Sequence, residues 1–188
     1  LIPGISEILC DIAPAFAERI RFTDGTIRDF DAVIATGSNN TARYFDYYFG
    51  KYPHIIRKNR NAIAVLKGVE KPESYKRMAD DIFMYFGLGC RNVSKIFIPE
   101  DFDISSIINH FEQYSWIADH SKYRNNYDYN KSLFLVNGDH HYDNGFLLLR
   151  ESPDLASPVS VLNYERYTDK VKLSQELELI KDEVQCIV

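Results

Sequence analysis

Apolar residues fall along this chain in two rhythms that alternate, short continuous runs and helix-spaced stretches, and that alternation predicts an α/β organisation. Ala32-Val33-Ile34-Ala35 reads as a buried strand closed by Thr36-Gly37-Ser38. Asn39 or Asn40 is placed to cap the next helix, whose apolar positions are Ala42, Phe45, Tyr48 and Phe49; Gly50 and Pro53 end it. Ala62-Ile63-Ala64-Val65-Leu66 reads as a second buried strand. The clearest helix follows Pro72, with Tyr75, Met78, Ala79, Ile82, Phe83 and Phe86 at three- and four-residue spacing and Gly87 just past its end. Residues 93–98 predict a strand stopped by Pro99, and Ile104, Ile107, Ile108 and Phe111 a further helix. Residues 121–131 are polar, with Asn and Tyr interleaved, and no element is assigned to them. Strands are expected over 146–149 and 159–164. Thr168 is placed to cap a last helix with Val171, Leu177, Ile180 and Val184 on one side. Over 52–61 prolyl and basic residues replace the apolar pattern, so a seam between two domains is expected there.

Composition narrows the class. At 188 residues, 45% hydrophobic and 26% charged, the chain is globular rather than disordered. It can bury a core without disulfide or metal staples. A net charge of −5 argues against a general nucleic-acid binder, which carries a basic face. Three cysteines, Cys10, Cys90 and Cys186, form no disulfide framework, which points to a reducing compartment and hence the cytoplasm. No apolar run approaches the roughly 20 residues that span a bilayer. The chain starts on Leu1 and stops on Cys186-Ile187-Val188, so a fragment of a longer protein is expected.

Cys90 is the most informative residue. It lies in Gly87-Leu88-Gly89-Cys90-Arg91-Asn92, between the strongest helix and a strand. Glycines there permit tight backbone geometry and close approach of a ligand. A neighbouring arginine, Arg91, favours thiolate, and free N–H groups in such a turn suit an oxyanion. The competing reading is a buried core cysteine at a helix end. The Thr36-Gly37-Ser38 turn sits where α/β sheets bind ligands, near a helix N-terminus, although an ordinary strand-to-helix turn would look the same. Asp139-His140-His141-Tyr142-Asp143 suggests a metal cluster at first sight. Adjacent side chains of an extended chain point opposite ways, so a polar loop is expected and no metal. Arg57-Lys58-Asn59-Arg60 is either a solvated loop or a contact for a phosphate-bearing partner.

As an ordered set these pieces resemble the aldehyde dehydrogenase superfamily: a strand ending in Thr-Gly-Ser, a strand of the Ala-Ile-Ala-Val kind, a helix, then a Gly-x-x-Cys loop before another strand. The turn serine is Ser38 and the loop cysteine Cys90. The run 154–159 resembles the family's acidic residue ahead of a Gly-Pro-Val strand start, with Asp154 as the acid. One branch is more similar still, the acyl-CoA reductases of the LuxC type, on Ala35-Thr36-Gly37-Ser38-Asn39-Asn40-Thr41, Arg57-Lys58-Asn59-Arg60-Asn61, Gly87-Leu88-Gly89-Cys90-Arg91-Asn92-Val93-Ser94, Asp143-Asn144-Gly145-Phe146 and Ser157-Pro158-Val159-Ser160-Val161. The resemblance covers residues 30–188.

The resemblance implies a parallel-sheet, Rossmann-like catalytic domain of the aldehyde dehydrogenase fold, present as a C-terminal fragment. Residues 1–52 would be the remainder of the cofactor-binding domain and 53–188 the thiol-bearing catalytic domain. It implies Cys90 as nucleophile; Gly89, Arg91 and Asn92 as the loop and oxyanion residues; and Gly37, Ser38 and Asp154 beside an NADPH or NADH cofactor. It implies an acyl-CoA or acyl-carrier-protein thioester as partner and leaves a homo-oligomer open. One departure bears on direction. Ordinary aldehyde dehydrogenases place a general-base glutamate that, aligned on Ala62-Ile63-Ala64-Val65, falls near Ile55, and no carboxylate lies over 52–66. A reductase acting on a thioester has no use for the water that this base activates, so thioester reduction is expected over aldehyde oxidation. The isolated chain is expected to lack full activity. Aldehyde oxidation and a non-catalytic α/β module remain the alternatives.

Overall fold

The computed structural model describes residues 1–37 and 39–188, in two compact units, Leu1–Arg57 and Lys58–Val188. The first unit opens with α1 (Ile2–Ile12), in which no residue is buried. Strand β1 (Val33–Gly37) leads into α2 (Asn39–Phe49), and β1 pairs with β2 (His54–Lys58) in a two-stranded sheet. Two strands cannot cover each other, so β1 is not the buried strand its apolar run suggests: Ile34 is 78% exposed. Ala42 is buried, but Tyr48 is 62% exposed. A small aromatic cluster closes the unit, with Phe30 against Tyr52 at 4.7 Å and Phe49 at 5.7 Å between ring centroids. Strand β2 falls within the seam that the sequence left without an element.

The second unit is built on a six-stranded sheet. Its members are β3 (Asn61–Val65), β4 (Val93–Pro99), β5 (His141–Asp143), β6 (Leu148–Glu151), β7 (Val161–Tyr167) and β8 (Val184–Ile187), in the order β5-β6-β7-β4-β3-β8. All neighbours run parallel except the edge pair β5 and β6. A parallel sheet covered on both faces needs apolar side chains on both, and β3 and β4 meet that requirement. Ala62, Ala64, Ile96, Ile98, Leu149, Leu162 and Tyr164 point to one face. There they meet α3 (Pro72–Phe83), the short α4 (Ser105–Ile108) and the 3₁₀ segment Asn109–Asp119 that continues it. On the other face Ile63, Phe97 and Tyr167 meet Leu173 of α6 (Lys170–Leu179), while Leu148 and Val161 meet Tyr127 and Phe134 of α5 (Ser121–Asn137).

Two helices differ from expectation. The polar stretch 121–131 is the first part of the 17-residue α5. Its buried side chains Tyr123, Tyr127, Asn130 and Phe134 recur at helical spacing, and the Asn130 amide donates to Val159 O at 3.0 Å. Helix α6 is capped by Asp169, whose carboxylate accepts the Val171 N–H at 2.7 Å, rather than by Thr168. It buries Leu173, leaves Val171 exposed, and ends before Val184, which opens β8.

A charged network fastens α5 to β5. Asp143 accepts from the Tyr127 hydroxyl at 2.6 Å and the Gly145 N–H at 2.8 Å, and pairs with the Lys131 ammonium at 2.7 Å. Burial raises the Asp143 carboxyl, but the Lys131 ammonium, the Tyr127 hydroxyl and the Gly145 N–H outweigh it and hold it below the ordinary carboxylate value. A carboxylate whose folded pKa is depressed contributes stability above its unfolded pKa, about 3.9, and loses it as pH falls through the folded value. Urea midpoints measured from about pH 5 downward are therefore expected to fall less steeply in Asp143→Asn than in the parent.

Candidate active site

Helix α3 forms because Pro72 starts it and Tyr75, Met78, Ala79, Ile82 and Phe83 make one apolar stripe. It stops abruptly. Tyr85 (φ 53°), Phe86 (φ 61°) and Gly87 (φ 71°) are all left-handed. Only glycine enters that region freely, and other L-residues lose about 1–2 kcal/mol there. Packing holds the turn: Phe83 lies against Tyr114 at 5.0 Å, Phe146 at 5.6 Å and Phe111 at 5.8 Å, and Phe86 against His120 at 4.3 Å. Tyr85 takes no share in this and is 80% exposed. Tyr85→Gly is therefore expected to stabilise by about 0.5–1 kcal/mol, the relieved strain exceeding the added chain entropy. In a thermal melt that is a rise of about 2 °C.

The reversed chain runs into the thiol loop. Asn92, 9% exposed, organises it. Its N–H donates to Gly89 O at 2.9 Å, its Oδ1 accepts the Gly89 N–H at 2.8 Å, and its Nδ2 donates to Asp81 O at 2.9 Å. A Cβ on Gly89 would stand 2.8 Å from Asn92 Oδ1, so a side chain there would displace the Asn92 amide that holds the loop. Gly89 and Asn92 thus bracket Cys90 and Arg91 in one turn, and the Asn92 amide is committed to the loop itself. Cys90 is a free, exposed cysteine, and Arg91 is exposed beside it. Among the described residues the N–H groups of Cys90 and Arg91 carry no hydrogen bond, which leaves two donors at the thiol for a ligand. Close by in sequence, the Asp81 carboxyl is pushed above the usual carboxylate range, first by burial and then by the charge of Asp80.

The loop opens β4, so Cys90 stands at the amino end of the parallel strands. Ligands of open α/β sheets ordinarily collect at the carboxyl end. The stretch Ser157-Pro158-Val159, leading into β7, comes to the same end. Behind the loop, Phe83, Phe86, Gly87, Ser94, Tyr123 and Ser160 line a cavity of about 20 Å³, room for about one water.

The other expected site residues lie apart from this turn. Gly37 ends β1 in the first unit, where a Cβ would come within 2.9 Å of Thr41, so close packing alone requires glycine there. Ser38 lies outside the described residues. Asp154 sits between β6 and β7 with its side chain 71% exposed, accepting from Ser152 Oγ at 3.2 Å and facing Arg150 Nη2 at 3.9 Å. Arg57 and Lys58 are exposed residues of β2 rather than of a loop. His141 and Asp143 belong to β5, and among the described residues no group of three or more His, Cys, Asp or Glu is arranged to hold a metal. No helix among the described residues is long and apolar enough to cross a membrane. Sequence reasoning missed Ser94, Lys95 and Asn163. Lys95 and Asn163 are buried in the middle of β4 and β7, and a polar residue inside an apolar run was the signal that could have found them.

The fold is that of the aldehyde dehydrogenases. An aldehyde dehydrogenase from Mycobacterium tuberculosis, solved with NAD+, superposes over 84% of this chain and 44% of its own, with a TM-score of 0.55 and 13% identity. The indole-3-acetaldehyde dehydrogenase of P. syringae, also solved with NAD+, matches 83% of this chain and 38% of its own, at 0.54 and 12%. The gamma-glutamyl-gamma-aminobutyraldehyde dehydrogenase of Burkholderia cenocepacia matches 85% and 44%, at 0.54 and 11%. The chain thus spans less than half the length of each. By sequence it matches no family model and no curated protein.

Proposed function

We propose that this chain carries the thiol half of an NAD(P)H-dependent acyl-CoA reductase, which converts a fatty acyl thioester to its aldehyde. The observation that carries the reading is Cys90: a free, exposed thiol in a glycine turn, flanked by two uncommitted N–H groups, on this fold. Cys90 thiolate attacks the thioester carbonyl, the N–H groups of Cys90 and Arg91 receive the developing oxyanion, and the bond to coenzyme A breaks. Coenzyme A leaves as thiolate and takes a proton from water. The acyl group remains on Cys90 until it is reduced, when the thiolate is released and the aldehyde departs. A nicotinamide, when bound, supplies the hydride. On this reading residues 1–52 belong to the cofactor side and 53–188 to the thiol side. The resemblance assigns Gly37, Ser38 and Asp154 to the cofactor; the Asp154 carboxylate, 71% exposed, would accept from a sugar hydroxyl. The direction rests on the base that is missing: the family's glutamate would fall near Ile55, an exposed residue of β2, and no carboxylate lies over 52–66.

The test is a pair of assays on the full-length protein. NADPH with a long-chain acyl-CoA is expected to yield aldehyde, free thiol and oxidised cofactor in equal amounts. NAD+ or NADP+ with a free aldehyde is expected to yield no carboxylate. Carboxylate formation in the second assay, with no turnover in the first, would reverse the assignment.

A further inference from the structure

Parallel neighbours are ordinarily joined by a dozen or more residues, usually through a helix. The crossover from β6 to β7 uses residues 152–160 and contains no helix. Such a strap turns main-chain carbonyls onto the sheet, and each needs a donor. Side chains of β4 and β7 supply them one after another. Lys95 Nζ donates to Pro153 O at 2.7 Å, Asn163 Nδ2 to Asp154 O and Ala156 O at 3.1 Å each, and Ser94 Oγ to Leu155 O at 2.7 Å. Four consecutive carbonyls, 153–156, are thereby tied to the sheet.

Lys95 is the costly member of this set. It is 1% exposed, and its charge is met by Glu165 at 2.5 Å. Burying an ammonium carries a desolvation penalty that an apolar side chain would not. Its position is what distinguishes it. β4 is the strand that the Cys90 loop opens, and Lys95 pairs in register with Asn163 on β7, which itself pairs with Arg150 on β6. One row of side chains thus runs beneath the strap that bears Asp154, starting from the strand behind the thiol.

We propose that Lys95 is a positioning residue: it ties the strap 152–160, and with it the Asp154 carboxylate, to the strand that carries Cys90. Resting on the reading above, which puts Asp154 at the cofactor, this means that Lys95 sets where the cofactor is held relative to the acylated thiol without touching either. Attack by Cys90 on the thioester needs no strap, whereas cofactor binding does.

Lys95→Met, Lys95→Arg and Ser94→Ala in the full-length protein separate these roles. Lys95→Met is expected to acylate Cys90 from acyl-CoA, without nicotinamide, at close to the parent rate, while its KM for NADPH rises about tenfold. Lys95→Arg keeps a buried donor and is expected to recover most of that KM. Ser94→Ala removes one tie and is expected to move KM in the same direction by less, which keeps the test open should Lys95→Met fail to fold. An unchanged KM in folded Lys95→Met, or acylation lost in step with turnover, overturns the proposal. Hydrogen exchange read in the same variants does not depend on activity. Residues 152–160 are expected to exchange faster in Lys95→Met with β4 still protected, and unchanged protection of the strap overturns its tethering by Lys95. If the parent protein forms no acyl adduct, the acyl-CoA reading fails, and the exchange result still decides the strap.

Discussion

Cys90→Ala is expected to lose acyl-CoA-dependent oxidation of NADPH by about 10³-fold or more, the scale seen when a nucleophile is removed. The substitution takes away only the sulfur. The turn is held by Asn92 on Gly89 and Asp81, and Cys90 is exposed, so the fold has no reason to change. The N–H groups of residues 90 and 91 remain, so on the proposed mechanism the thioester carbonyl should still bind. Turnover should therefore fall while melting temperature holds within about a degree, as for a surface change. Alanine at Cys10 or Cys186, in α1 and β8, should leave turnover near the parent level. A loss shared equally by all three variants would remove Cys90 from its special place.

The second large effect is on stability. Phe83→Ala is expected to cost about 4 kcal/mol, because a buried aromatic removed from a packed core loses both its transfer energy and the contacts around the cavity. Phe83 is 2% exposed and touches rings from three directions, Phe111, Tyr114 and Phe146. It is also the last residue of α3, the base on which the left-handed turn at Tyr85 and Phe86 rests. Urea denaturation should show the loss in the midpoint. Iodoacetamide labelling of Cys90 should change as the turn loosens. Two residues further on, Tyr85→Gly is expected to act in the opposite direction. Two aromatic residues in one short segment thus differ in sign, because one is packed and the other only strained.

Much of the sheet could be read from the chain, and the reason is periodicity. β3 and β4 are buried on both faces, so residues 62–65 and 96–98 form continuous apolar runs, and α3 carries a full apolar stripe opened by Pro72. α5 was hidden because its buried stripe is made of Tyr123, Tyr127 and Asn130, which count as polar until Phe134 completes the spacing. β2 was hidden because it pairs with one partner in a two-stranded sheet and needs no apolar run. The thiol loop could be located from Gly87, Gly89 and Cys90, but its shape could not. Tyr85 and Phe86 give no sign of positive φ, which is held by the packing of Phe83 and Phe86 on either side of the exposed Tyr85. The strap over 152–160 was equally closed to sequence reasoning, since its carbonyls find their donors on β4 and β7. Local structure follows from local pattern here, and the geometry at Cys90 follows from tertiary contacts.

The most direct measurement is the intact mass of the full-length protein after mixing with a long-chain acyl-CoA in the absence of nicotinamide, with Cys90→Ala alongside. The parent is expected to gain one acyl group, the variant none, and NADPH added afterwards is expected to return the parent to its original mass with release of aldehyde. A folded parent that stays at its unmodified mass would contradict the acyl-enzyme on Cys90.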